Sequence, residues 1–175
     1  MPPPLCVPDE TSSRFESVKT GIRLGVDVGS VRIGIARCDP DGLLASPLET
    51  VRRGPGDLAA IAALAAASEA VEVVVGLAVG LGGREGKAAA DGRTFATALA
   101  ARLAPVPVRL VDERFTTVLA HAALQSGGRD SRARRESVDK AAAALVLQGA
   151  LDAERSTGLP AGELVPAEGA DDERG

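Results

Sequence analysis

The sequence predicts an α/β domain that opens with a β-meander. Three observations carry this reading. Large apolar residues alternate at Ile22, Leu24, Val26 and Val28, and again at Val31, Ile33 and Ile35, with the turn signal Gly29-Ser30 between them. Val71 to Leu77 is a short, nearly continuous apolar run behind an alanine-rich segment, the pattern of a buried central strand preceded by a helix. A last periodic segment, about Val138 to Glu154, reads as a closing helix.

Residues 1–20 are rich in proline, serine and charge without periodicity, and read as a disordered extension. In the first strand Asp27 falls in step with Arg23 and Gly25, on the face opposite the large apolar residues. The glycines on either side, Gly25 and Gly29, leave room for a metal or a phosphate to approach the backbone there. Asp41-Gly42 is a second turn signal, and Leu43 to Val51 supplies a third strand that Pro47 places at a sheet edge. Gly54-Pro55-Gly56 breaks the chain, after which Asp57 suits the N-cap of a helix over Leu58 to Ala67. Gly80 to Gly86 is a glycine-rich loop, and Lys87 to Leu103 a second helix. Pro105-Val106-Pro107 begins a fifth strand, Val106 to Val111, with Glu113 just beyond its end. Thr116 to Leu124 reads as a helix stopped by Gly127-Gly128, and an arginine-rich loop leads to the final helix. Everything after Gly158 reads as a disordered acidic tail, so residues 21–157 form one domain and 158–175 lie outside it.

Composition narrows the function. The formal charge of −4 sits in the two tails and leaves the body near neutrality, so bulk charge neither favours nor opposes a polyanion. With no Trp, no Tyr and three Phe, stacking of bases on aromatic platforms is excluded as the main mode of nucleic-acid binding. No apolar run approaches the ~20 residues of a membrane span. The N-terminus lacks a basic-then-apolar signal pattern, which predicts a cytoplasmic protein. Cys6 and Cys38, one in a tail and one in a strand, read as free thiols. The segment Gly80 to Ala88 sits between a strand and a helix as a phosphate-binding loop does. It carries Leu81 and Ala88 where that motif needs Gly and Ser or Thr, and so fails it twice. His121, the one histidine, has no nucleophile or acid arranged around it and reads as a plain helix residue.

Three stretches share a likeness. "LGVDVGSVRIGIA" at Leu24 to Ala36, "VDERFTT" at Val111 to Thr117 and "VDKAAAALVLQGALD" at Val138 to Asp152 resemble, in the same order, the motifs of the YqgF-type proteins. These are RNase H-like nucleases assigned both to Holliday junction resolution and to pre-16S rRNA processing. The resemblance covers roughly residues 21 to 155. It departs at Ala78, where family members often have proline, and this bears on the glycine loop rather than on the acids. It implies an RNase H-like α/β fold: a five-stranded mixed sheet with flanking helices.

The same resemblance singles out Asp27, Glu113 and Asp139 as catalytic residues and metal ligands. Three carboxylates in one pocket repel one another and raise each other's pKa unless divalent cations neutralise them. An all-oxygen donor set points to Mg²⁺ or Mn²⁺. Two such ions, about 3.5–4 Å apart, activate a water and stabilise the leaving oxygen of a phosphodiester. Asp139 is expected in the first turn of the last helix, where the helix dipole favours an anion, with Ala142 and Ala143 letting that helix lie close to the sheet. Asp112 and Glu136 are candidates for a fourth carboxylate. Arg32, Arg84, Lys87, Arg114, Thr116 and Thr117 are candidate phosphate contacts. Arg129, Arg132, Arg134 and Arg135 form an arginine run beside Asp139, which reads either as a solvated loop or as a clamp on a nucleic-acid backbone. Arg93 is a further candidate along the substrate path. The implied partner is nucleic acid, either pre-16S rRNA or branched DNA, bound by a monomer or a homodimer. Two other classes remain open: an actin-like nucleotide-binding module, which needs further phosphate loops and a longer chain, and a non-catalytic scaffold.

Overall fold

The computed structural model describes residues 18–79, 83–113 and 131–167, apart from the side chains at 131, 132 and 134. Strands β1 (Arg23–Val28), β2 (Arg32–Cys38) and β3 (Ala45–Arg52) form the expected meander. Helix α1 (Asp57–Ala67), β4 (Glu72–Leu77), α2 (Lys87–Leu103), β5 (Val108–Asp112), α3 (Ser131–Thr157) and β6 (Glu163–Val165) follow. The sheet order is β3-β2-β1-β4-β5-β6. Strands β1, β4 and β5 run parallel, while β2, β3 and β6 run antiparallel to their neighbours.

Alternation along each strand sorts the core into two layers. Leu24, Val26, Ile33, Ile35, Val73, Val75, Val108 and Leu110 face α1 and α2 and pack with Ile61, Phe95 and Leu99. Ala36, Cys38 and Val74 face the other way and meet Ala143, Val146, Leu147, Ala150 and Leu151 of α3. Among the described residues the result is a helix–sheet–helix sandwich, with α1 and α2 on one side and α3 on the other.

Helix α3 lies unusually close to the sheet because the strands beneath it carry glycine. A Cβ at Gly25 would come within 2.7 Å of the Leu147 Cβ and 2.8 Å of the Ala143 carbonyl oxygen. A Cβ at Gly34 would come within 1.9 Å of the Asp139 carbonyl oxygen. The helix backbone therefore rests on the backbone of β1 and β2.

At the far end of this interface sits a buried ion network that the sequence reading does not contain. Arg23 pairs with Glu154 and lies 3.8 Å from Glu72, and Arg109 donates to Glu72 at 3.1 Å. All four residues are at most 4% exposed. Burial holds the Glu72 carboxyl above its usual range, with the neighbouring arginines pulling the other way.

Four expectations need correction. The sheet has six strands, not five: Glu163–Val165, in the stretch assigned to a disordered tail, pairs antiparallel with β5. Val165 is buried in the core, and the Ala161 N–H donates to Glu154, so short contacts invisible to periodicity order this segment. Helix α3 begins at Ser131 rather than near Val138, so Arg132, Arg134 and Arg135 belong to a helix, not a loop. Asp139 accordingly lies more than two turns inside the helix, out of reach of the terminal dipole proposed for it. Asp57 is the first helical residue, not the cap; its carboxylate accepts the Gly54 and Leu58 N–H groups and pairs with Arg53. The predicted helix over Thr116 to Leu124, with His121 and the Gly127-Gly128 stop, lies outside the described residues. So do most of residues 1–20. Among the described residues no helix is long and apolar enough to cross a membrane.

The contact at Gly34 yields a prediction. Its added methyl meets helix backbone, which cannot swing aside. Gly34→Ala is expected to destabilise the protein by about 2 kcal/mol or more, within the range for overpacked cores, as read from urea unfolding.

Candidate active site

The site is built around Asp27, at the C-terminal end of the central strand β1. Its partners across the ladder are Gly34 on β2 and Gly76 on β4. Each glycine leaves a space that something else fills. Over Gly34 lies the α3 backbone at Asp139. Over Gly76 lies the Glu113 side chain, whose Oε1 would stand 2.5 Å from an added Cβ. Glu113 follows β5, which is separated from β1 by β4, so the two acids are not on adjacent strands. They meet because the strand between them has no side chain at that level.

The Asp27 and Glu113 carboxyls are hydrogen-bonded to each other. Two carboxyls can share such a bond only if one keeps its proton. Burial, the Asp27 hydrogen bond and the negative charges of Asp27 and Asp112 push the Glu113 carboxyl up to about 8. Asp27 is also raised, by burial and by the charge of Asp139, against the lowering effect of its bond to Glu113. The Asp139 carboxylate is engaged by Arg32, whose Nε donates to Oδ2 at 2.8 Å. The structure thus brings Asp27 and Glu113 into contact and Asp139 into electrostatic range. Among the described residues there is no ready-made group of three or more His, Cys, Asp or Glu side chains placed to hold one metal ion.

Of the candidate fourth acids, Asp112 raises Glu113 through its charge, and Glu136 lies one helical turn before Asp139. Arg32 and Arg135 line a common concavity beside Asp139. Arg84, just before α2, and Lys87, its first residue, are exposed. Arg93 is paired with Glu85 and Glu163. Arg114, Thr116, Thr117 and Arg129, and the side chains of Arg132 and Arg134, lie outside the described residues. Sequence reasoning missed the supporting residues Gly34 and Gly76. The signal was available, because each is an isolated glycine inside a strand pattern, which marks a close approach.

A family model described as "RuvX: Holliday junction resolvase" matches residues 21–153. The chain belongs to this family. It is 59% identical to a Thermobifida fusca protein named "Putative pre-16S rRNA nuclease", over 85% of this chain and 98% of the relative. A Nocardioides protein of the same name is also 59% identical, over 85% of this chain and 98% of its own length. A Streptomyces coelicolor protein of that name is 48% identical over 92% of this chain and 98% of the relative. Among solved structures, Thermus thermophilus RuvC in complex with a Holliday junction substrate matches with a TM-score of 0.52 at 16% identity, covering 80% of this chain and 98% of that one. That likeness shows the fold, an RNase H-like α/β arrangement.

Two tests follow. Gly76→Ala meets side chains rather than backbone, the Glu113 carboxylate at 2.5 Å and the buried Val146 methyl at 3.0 Å, so it is expected to displace Glu113 at a smaller stability cost than Gly34→Ala. A hydrogen-exchange or NMR titration would then find the raised Glu113 pKa returned towards 4.5. The second test is pH dependence without divalent ions. Glu113 titrates near 4.5 when unfolded and near 8 when folded, so the native state binds the extra proton between those values. Stability from this group is complete below about 4.5 and is lost as pH rises through about 8. Thermal melts without divalent ions are expected to decline across that window, and Glu113→Gln to flatten the decline.

Proposed function

We propose that the chain is a divalent-metal-dependent endonuclease that cleaves phosphodiester bonds in structured nucleic acid, with precursor 16S rRNA as its substrate. The observation that carries this reading is the meeting of Asp27 and Glu113 over Gly76. Two buried carboxyls forced to share a proton form a site that a cation would relieve. The donors are hard oxygens, which suit Mg²⁺ or Mn²⁺ and not Zn²⁺. Asp27, Glu113 and Asp139 would hold the metal, with Arg32 orienting Asp139 through its 2.8 Å bond. A bound cation there supplies Lewis acidity at the phosphate and lowers the pKa of water. The protein's own part is to fix the acids on rigid strands and a helix, so that they need not reorganise during reaction.

The motif match carries Arg114, Thr116, Thr117, Arg129, Arg132 and Arg134 as further phosphate contacts, alongside Arg32, Arg84, Lys87 and Arg135. Work on ribosomal precursors would place the protein in the cytoplasm, and trimming one strand requires no second copy. A second reading, cleavage of branched DNA, is favoured by the description of the matching family. That reading calls for a homodimer, since two strands must be cut.

The deciding experiment gives the native chain, Asp27→Asn and Glu113→Gln either a 16S precursor with its 5′ leader or a four-way DNA junction, in Mg²⁺ or Mn²⁺. The expected result is metal-dependent cleavage of the precursor, abolished in both variants. Preference for the junction would move the function to the second reading. Tight ATP binding with no cleavage of either polymer would overturn both in favour of a nucleotide-binding module.

A further inference from the structure

Beyond the acids, β2, β3 and the N-terminal part of α3 enclose a concavity of about 510 Å³ lined by Val31, Arg32, Thr50, Arg52, Arg135 and Glu136. Three of these six are arginines. Arg32 and Arg52 face each other directly across the β2–β3 ladder. Directly opposed like charges destabilise a sheet. The arginines at Arg23, Arg53, Arg93, Arg109 and Arg155 are each matched to a carboxylate. Here the matching is incomplete. Arg32 is tied to Asp139 through Nε, which leaves the two terminal amino groups of its fork without a protein partner among the described residues. Arg52 and Arg135 have no carboxylate partner among the described residues, and both are exposed. The Thr50 hydroxyl donates to the Glu136 carbonyl oxygen at 3.1 Å, which ties the β3 edge to α3 and closes the floor of the hollow.

We propose that this concavity is a phosphate-backbone subsite, in which Arg52 is a binding residue for a phosphodiester flanking the one that is cut. The inference rests on the nuclease reading for the identity of its ligand and adds a residue that no motif contains. Three guanidiniums around one polar hollow match the spaced negative charges of a nucleic-acid strand, and bidentate arginine contacts suit phosphate oxygens. The hollow begins where Arg32 leaves Asp139. A strand with one phosphate at the acids would therefore run over Arg32 towards the open edge of the sheet at β3. Such contacts position the polymer and do not read its sequence.

The test uses the full chain carrying Asp27→Asn, so that the nucleic acid survives, and adds Arg52→Ala or Arg52→Glu. Binding of a fluorescent RNA hairpin with a single-stranded 5′ extension, and of a four-way DNA junction, is followed over a salt series. Arg52→Ala is expected to weaken binding about five- to tenfold and to lower the slope of log affinity against log salt by about one. Arg52→Glu should weaken it further. Because removing Arg52 relieves the opposed pair, the melting temperature of Arg52→Ala should equal or exceed that of its parent. In the cleavage assay, Arg52→Ala on an otherwise native background should raise KM and leave kcat unchanged. Unchanged affinity and slope in both folded variants would overturn the proposal. Full competition by millimolar inorganic phosphate would also overturn it, in favour of a single-anion site. The two readings fail separately. Native cleavage with no Arg52 effect sinks only the subsite, and an Arg52 effect on binding with no native cleavage sinks only the nuclease.

Discussion

The close seating of α3 on the sheet is the constraint from which the site follows. Helices usually pack on sheets through side chains, and here the strands withdraw theirs. Gly25 and Gly34 bring the helix backbone against β1 and β2. Small and mid-sized apolar residues on the helix, Ala143, Leu147 and Ala150, fill what remains. A short aspartate on such a helix can come near acids on the strands; a helix held one side chain farther away would leave it stranded. Gly76 performs the matching service on the other flank, where it clears β4 so that Glu113 can reach over to Asp27. Each glycine lowers strand stability through its backbone entropy. The return is space in which the helix backbone and the Glu113 side chain can come up to Asp27.

The same interface handles charge in two opposite ways. At one end Arg23, Glu72, Arg109 and Glu154 alternate in sign and are nearly sealed from water. Such a network is close to balanced, and breaking any member would leave an uncompensated buried charge. At the other end three acids, Asp27, Glu113 and Asp139, lie near one another, with Arg32 bonded to Asp139. Glu154 and Asp139 lie on one helix, about 22 Å apart at the standard rise. One rigid element thus carries both a balanced anchor and an acid-rich centre. The imbalance is expressed as a proton retained on the Glu113–Asp27 pair.

Much of the fold was legible because it is written in periodicity. The opening hairpins, the buried run of β4 and the helix at Lys87–Leu103 all appear as alternation or as apolar runs of the right length. Pro47 does mark an edge strand. What was not legible depends on contacts between distant residues. Three residues of β6 carry too little pattern to separate from an acidic tail, and their order comes from β5 and Glu154. The early start of α3 was hidden because an arginine-rich stretch looks like a loop until it is known to be helical. At the site, the motif likeness named Asp27, Glu113 and Asp139, and the structure adds how the first two meet. Gly34 and Gly76 were visible as oddities, but their role needs the strand order, which places both beside Asp27.

Arg32 joins the acid-rich centre to the basic rim. Its Nε neutralises part of the Asp139 charge, while its remaining donors point the same guanidinium at the hollow shared with Arg52 and Arg135. This arrangement answers a problem set by the composition. A phosphodiester approaching three carboxylates is repelled, and a chain body near neutrality offers no general attraction to offset that. Attraction must therefore be local, and it must lie beside the acids rather than among them. Cations placed within the centre would compete with a metal for the same carboxylates. On the proposed function, cations placed at the rim would draw the polymer's neighbouring phosphates and leave the acids to a metal. With no tryptophan or tyrosine and few other aromatics to stack on bases, backbone attraction of this kind is the means of binding that the composition leaves available. On the proposed subsite, the arginine pair across β2 and β3 makes sense: it is a local repulsion in the free protein that the charge of a bound strand would remove.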